Sequence, residues 1–440
     1  MILGRYVLLV IFGVTVLCGA VGGFFYWNHK SQPAAAALST YKTPEEADVY
    51  TRFVMEGYDI IQKNYWQKAS DADLSTVFQA SVQKFASSTL TLKTSDRAGV
   101  SQLIAAAIAG TPEADRIKTS ETILGAVLYN IAPIGRNQLL TSTARQDLQN
   151  EVNNVNPGND LYKDLGTQKG ASEAEVQQAY EAKKTELAAS TSPAAAEELK
   201  KVDYAKTVLS DTENKANYDQ SGVEPTVFWH FANPSTIYVY ISSMSPATES
   251  EFEDIMRKNV KSGVSSMILD LRGNVGGDLT TSLTFLGLFS GPNQYAYDFF
   301  QAGEYKAQRT LGLGAMTELK NIREVAILTD GMTQSTAEVI TAAMKRLHLA
   351  SSVGAKTRGW GSIEGQFPMQ TVIDPQGQHE ILLVVALTVR DDTQPIEGNG
   401  VLPDVDISNA SWRAELSRHF FSSDLIAAVK SQVILPPQKR

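Results

Sequence analysis

Apolar residues recur with two different periods along this chain, and the change of period divides it. Before residue 160 the spacing is helical. Val54, Tyr58, Ile61 and Tyr65 fall at three- and four-residue steps, and Leu74, Phe78 and Phe85 continue the theme, which predicts amphipathic helices. Leu103 to Ala109 is uniformly apolar but too short to cross a bilayer, so it reads as a buried helix. Asn150 to Asp160, with Asn-Pro-Gly inside it, is a loop and a boundary. A compact unit follows over residues 160–222. Ser172 and Glu175 make a capping box, Val176, Ala179, Tyr180 and Leu187 a helical stripe, and Glu197 to Leu209 a second helix. From Thr226 onward the texture becomes α/β. Ile237 to Ile241, Ser266 to Leu271, Val325 to Leu328 and Leu382 to Thr388 read as strands; Glu251 to Val260, Leu279 to Leu288 and Thr336 to Leu347 read as helices.

The N-terminus has its own pattern. Tyr6 to Trp27 is uncharged and long enough to span a bilayer; Arg5 precedes it, aromatic Phe24 to Trp27 close it, and His29-Lys30 follow. The alternative is a cleaved signal peptide, since Gly19 to Gly23 supplies small residues. Either way the body is expected outside the cytoplasm. Gln32 to Ser39 reads as a tether.

Composition narrows the chemistry. Apolar content of 43% and charged content of 20% are globular values, and a net charge of −9 argues against nucleic acid as a partner. Cys18 is the single cysteine, and His29, His230, His348, His379 and His419 lie far apart, so neither a disulfide within the chain nor a metal site is expected, and no cofactor is implied.

Two segments carry candidate chemistry. In Met267 to Gly277 a strand runs into a turn with three glycines before the next helix, a geometry that can turn backbone N–H groups inward around an oxyanion; a plain tight turn fits as well. A phosphate loop is disfavoured, because no Gly-Lys-Ser/Thr follows and Asp278 would repel phosphate. In Ile327 to Glu338 a strand ends, Asp330-Gly331 turns, and Ser335 opens a helix, where the dipole favours negative charge developing on oxygen. Ser335 with Glu338 is equally a capping box.

Resemblance adds to both. Leu269-Asp-Leu-Arg-Gly-Asn-Val-Gly-Gly277, Gly331 to Glu338, Gly354-Ala-Lys-Thr-Arg-Gly-Trp-Gly-Ser-Ile-Glu364 and Gly398-Asn-Gly-Val-Leu-Pro-Asp404 resemble, in order, four motifs of the tail-specific (C-terminal-processing) serine proteases. The resemblance covers roughly the last 210 residues. It implies an α/β protease core, a ClpP/crotonase-like mixed sheet with helices, here preceded by an all-α region and one N-terminal transmembrane helix. It places the nucleophile on Ser335, and the Gly276 and Thr336 N–H groups at the oxyanion. The family's lysine base, about 25 residues on, is Trp360 here, and its assisting glutamine is Glu364. A serine hydroxyl needs a proton acceptor and Trp cannot supply one. Three substitutes are open. His230 with Glu397 would follow the tricorn-like branch; Glu364 would serve with a raised pKa in a dry pocket; Lys356 or Arg358 would have to reach in from the wrong side of the turn.

Residues 160–222 resemble a J-domain through Leu161 to Gly166, Ala171 to Tyr180, Val208 to Asp211 and Tyr218 to Gly222. The family's His-Pro-Asp tripeptide corresponds to Ala188, Ala189 and Ser190, so a reused helical scaffold is expected rather than a co-chaperone. No peptide-binding PDZ module is apparent, and this unit occupies its place.

The expected organisation is a transmembrane signal anchor over 1–30, a tether over 31–45, a helical region over 46–155, the J-domain-like unit over 160–222 and the protease core over 224–440. The expected function is a membrane-anchored serine-type endopeptidase acting on polypeptides through their C-termini. The alternative is a catalytically inactive scaffold that binds peptides. Assembly into a homo-oligomer is left open.

Overall fold

The computed structural model describes residues 41–437 except Ser88, Thr191, Gln376 and Asp391. The Tyr6–Trp27 run lies outside them, and no helix of the described residues is long and apolar enough to cross a membrane.

The helical periodicity before residue 130 becomes a bundle. α1 (Val49–Asn64) opens on Asp48, whose carboxylate accepts the Thr51 N–H, and α2 (Asp71–Phe85) opens on a Ser70/Asp73 capping box. With α3 (Arg97–Ala109) and α4 (Arg116–Asn130) they share one core, in which Phe53, Tyr58, Phe78, Ile104 and Leu124 are fully buried. Each such side chain contributes roughly 1.5–3 kcal/mol. Phe85 departs from the expected stripe: it is the last residue of α2 and stays 45% exposed.

In chain order the strands are β1 (Gln138–Leu140), β2 (Val227–Asn233), β3 (Thr236–Ile241), β4 (Ser266–Asp270), β5 (Tyr295–Gln301), β6 (Glu304–Arg309), β7 (Glu324–Thr329), β8 (Ser351–Gly354), β9 (Ser362–Pro368), β10 (Glu380–Val389) and β11 (Val405–Asp406). One sheet runs β11-β8-β7-β4-β3-β2, parallel except for the antiparallel edge strand β2. The other is antiparallel, β1-β10-β5-β6, with β9 also on β10. The helical region is therefore not a separate all-α unit. It donates β1 to the second sheet, and Ile381 and Leu383 of β10 sit in the bundle's core. A three-residue strand between helices leaves no alternating pattern to read.

After α5 (Ser142–Val152) comes the insert, the J-like unit of α6 (Leu161–Leu165), α7 (Glu173–Ala188), α8 (Pro193–Ser210) and α9 (Thr212–Ser221). The Ser172/Glu175 capping box forms as expected, whereas α8 starts earlier than its apolar stripe, on Ser192 as cap and Pro193 in the first turn. The insert leaves the core and returns to it at one point, where Val155 bridges Val223 and the Glu224 N–H donates to the Asn154 carbonyl.

α10 (Thr248–Asn259), α11 (Leu279–Ser290) and α12 (Thr336–Arg346) cover one face of the parallel sheet; α13 (Trp412–His419), α14 (Ser423–Gln432) and the insert cover the other. β3 shows why its run is continuously apolar. Ile237, Val239 and Ile241 enter the first core while Tyr238 and Tyr240 enter the second. β4 and β7 are parallel neighbours, with Asp270 opposite Leu328, so the loops that leave their carboxyl ends emerge side by side. Those two loops are the segments singled out above.

Candidate active site

The turn after β4 needs its glycines. Gly276 has φ +89 and Gly277 φ +142, and a Cβ on Gly277 would meet the Met244 carbonyl oxygen at 2.1 Å. A Cβ on Gly276 would lie 2.5 Å from Ser335 Cβ and 3.0 Å from Ser335 Oγ. Ser335 and the glycine turn are thus in direct apposition. The contact is zipped by hydrogen bonds: the Thr333 hydroxyl donates to the Leu271 carbonyl (2.8 Å), the Gln334 N–H to that of Asn274 (3.0 Å), and the Thr336 hydroxyl to that of Gly277 (2.8 Å).

Ser335 itself is strained. It sits immediately before α12 with φ 55 and ψ −126, a conformation that costs a non-glycine residue about 1–3 kcal/mol and persists only where its surroundings over-determine it. It is 6% exposed. The Thr336 N–H beside it belongs to a helix's first turn, whose donors have no acceptor within the helix. The Gly276 N–H does not join it. That group donates to Asn274 Oδ1 at 2.8 Å, so the expected pair of oxyanion donors is reduced here to Thr336.

The capping-box reading of Glu338 is half of its role. Its carboxylate accepts the Ser335 N–H at 2.9 Å, and also the Thr357 hydroxyl, the Gly359 N–H (2.8 Å) and the Trp360 N–H (2.8 Å). Ser335 and Trp360 donate to the same oxygen, which brings the base position of the resembled family next to the serine. Glu338 is fully buried. Burial pushes its carboxyl above the usual carboxylate range, and the four hydrogen bonds pull it back.

Trp360 lies between two guanidiniums, with Arg136 3.7 Å and Arg358 4.0 Å from the ring centroid. Arg136 comes from the segment between α4 and β1 and pairs with Glu397 Oε1 at 3.1 Å; Glu397 Oε2 accepts the Gly361 N–H at 2.9 Å. Arg358 reaches in to the extent that it stacks on Trp360 and touches Met332 Sδ at 3.8 Å, whereas Lys356 is exposed.

Glu364 lies on β9 opposite Val384 and is 5% exposed. One oxygen accepts the Ser362 hydroxyl at 2.6 Å, and Oε2 has no hydrogen-bond partner among the described residues. Burial pushes the carboxyl up to about 7 against the Ser362 hydrogen bond and the charge of Arg136, with Glu397 adding to the rise.

The pairing of His230 with Glu397 does not form. His230 stands on the edge strand β2, its ring stacked 4.5 Å from that of Tyr238 and its Nε2 3.3 Å from Gln432 Nε2, while both Glu397 oxygens are taken by Arg136 and Gly361. The carboxylate is held at the second sheet and the imidazole at the far edge of the first. Arg136 is the site residue that sequence reasoning missed; it lies far away in the chain and in no motif. Asn274 lies within Leu269 to Gly277, and the habit of Asn side chains to accept from the N–H two residues on was the readable signal.

Residues 235–407 match the family model described as Peptidase family S41. Over 174 residues the chain is 28% identical to a probable CtpA-like serine protease of Staphylococcus epidermidis (strain ATCC 35984), covering 40% of this chain and 34% of that protein. It is also 28% identical over 180 residues to the carboxy-terminal processing protease CtpA of Bacillus subtilis (strain 168), covering 41% and 36%. The chain thus spans about a third of the length of these curated relatives. Among solved structures, the photosystem II D1 C-terminal processing protease aligns with a TM-score of 0.48 at 12% identity, covering 81% of this chain and 93% of that one.

Proposed function

We propose, taking residues 235–407 as a region of peptidase family S41, that the chain is a serine-type peptidase of the tail-specific kind acting on polypeptides. The observation that carries this reading is Ser335, strained at the start of α12 with its Cβ and Oγ against Gly276. In this reading Ser335 Oγ attacks the scissile carbonyl and the Thr336 N–H stabilises the oxyanion. Glu364 takes the serine proton and returns it to the leaving amine, after which water releases the acyl group. The buried, half-satisfied Glu364 carboxyl supports it as the acceptor better than His230. Residues 1–30 would anchor the body outside the cytoplasm.

The test is hydrolysis of an unfolded polypeptide by the full chain from pH 4 to 9. Ser335→Ala is expected to lower the rate at least ~10³-fold, and the rate of the unsubstituted chain to rise with pH through about 7 as Glu364 loses its proton. Glu364→Gln is expected to cost ~10²-fold or more and to remove that rise. Hydrolysis that survives Ser335→Ala rejects the assignment.

A second reading, an inactive peptide-binding scaffold, is favoured by one observation: Trp360 fills the base position, held between Arg136 and Arg358. Its signature is a silent chain that gains Ser335-dependent hydrolysis from Trp360→Lys.

A further inference from the structure

We infer that a cleft beside the glycine turn is a specificity site for a long cationic side chain, Lys or Arg, next to the scissile bond of the polypeptide. The inference rests on the peptidase reading. The cleft, of about 550 Å³, lies outside the carboxyl ends of β3 and β4, the position that open parallel sheets offer to ligands. Gly273 and Val275 of the glycine turn and Met332, three residues before Ser335, line one side, so the cleft borders the two loops that meet at the serine. Its volume suits a side chain with its share of backbone.

Three features set the chemistry. Phe228 and Tyr240, with ring centroids 6.2 Å apart and planes 28° apart, form an apolar floor on which a methylene stem can lie and whose ring faces attract a cation. Asp147 and Glu151 of α5 line the opposite side, and neither has an ion-pair partner among the described residues. Asp147 is exposed, whereas burial of the Glu151 carboxyl pushes it up to about 7, so its full charge develops above that pH. Ser243, 9% exposed, also lines the cleft, and its buried hydroxyl has no hydrogen-bond partner among the described residues, which leaves an acceptor for an ammonium or guanidinium. Among the described residues no Lys, Arg or His lines the cleft. Arg358 touches Met332 but is turned onto the Trp360 ring. The Asp147 and Glu151 carboxylates would repel another carboxylate entering here. α5 leads into the insert and Tyr204 of α8 completes the wall, so the helical unit shapes this selection.

The test uses the full chain carrying Ser335→Ala, which separates binding from turnover. Fluorescein-labelled peptides of Ala, Ser and Gly with one central Lys, Arg, norleucine or Glu are titrated by anisotropy. The Lys and Arg peptides are expected to bind about tenfold tighter than the norleucine peptide, and the Glu peptide most weakly. Adding Asp147→Asn with Glu151→Gln is expected to bring Lys down to norleucine and to leave norleucine unchanged. Ser243→Leu, which fills the floor, is expected to weaken both. Equal binding of Lys and norleucine, a preference that survives the double substitution, or unaltered binding in Ser243→Leu overturns the assignment. Absence of hydrolysis by the unsubstituted chain bears on the peptidase reading alone, because the binding preference is read without turnover.

Discussion

The candidate site has two halves that are built differently. On one side Ser335 and the glycine turn are joined through backbone geometry, with positive φ angles, a contact that leaves no room for a Cβ, and main-chain carbonyls accepting from Thr333, Gln334 and Thr336. On the other side, residues 357–364 are held by side chains, with Trp360 between two arginines and Glu397 spanning Arg136 and Gly361. Glu338 is the strut between them. A half built from backbone geometry cannot drift without unmaking the sheet beneath it. A half built from side chains can carry an indole at position 360 and keep its loop in place, because the backbone N–H of that residue, not its side chain, bonds Glu338. Position 360 therefore sits where the architecture tolerates a change of side chain.

That contrast can be broken or sharpened in four ways. Gly276→Ala attacks the backbone-built half, where a positive φ and a 2.5 Å clash with Ser335 Cβ add together; a loss of about 4 kcal/mol in chemical denaturation is expected, and under 1 kcal/mol would show the turn to be pliable. Glu338→Gln removes the strut's charge and leaves donors facing an amide. We expect a loss of about 3 kcal/mol, together with faster amide exchange at Trp360 and unchanged exchange in β4. Glu364→Gln probes the second half through pH. An acid whose folded pKa is raised favours the folded state below its unfolded pKa, and that contribution is lost as pH rises through the folded value. The unsubstituted chain should therefore lose roughly 2 kcal/mol relative to Glu364→Gln between about pH 4.5 and 7, read from paired denaturation curves; parallel curves would place Glu364 in water. Arg358→Ala should be the mildest, about 0.5–1 kcal/mol, since its stack on Trp360 is half-exposed and Arg136 remains on the other face.

The same division decided what could be read from the residues alone. The glycine turn and Ser335 were legible because their backbone requirements are written in consecutive residues, and β3 because its alternation of β-branched residues and tyrosines matches two buried faces. The Ser172 and Glu175 cap was legible for the same local reason. Arg136 was not, because its partners Trp360 and Glu397 lie more than two hundred residues away in the chain. His230 was misjudged since order along the chain does not say which sheet edge a residue reaches. The sequence does not show that the Gly276 N–H is held by Asn274, because a glycine turn permits an inward N–H without deciding its acceptor. The β5–β6 hairpin escaped notice because β6 is almost wholly exposed and shows no apolar period.

The single bridge between Val155 and Val223 has a consequence for engineering and for descent. A module whose two ends are already side by side can be lengthened or traded for another without changing the connections between strands, provided the replacement covers Phe228, Tyr238 and Tyr240 as this one does. The helical cassette is thus an exchangeable cover, and grafting a different one at the same junction offers a route to reshape the cleft beside Ser335 while the two loops that meet there stay as they are.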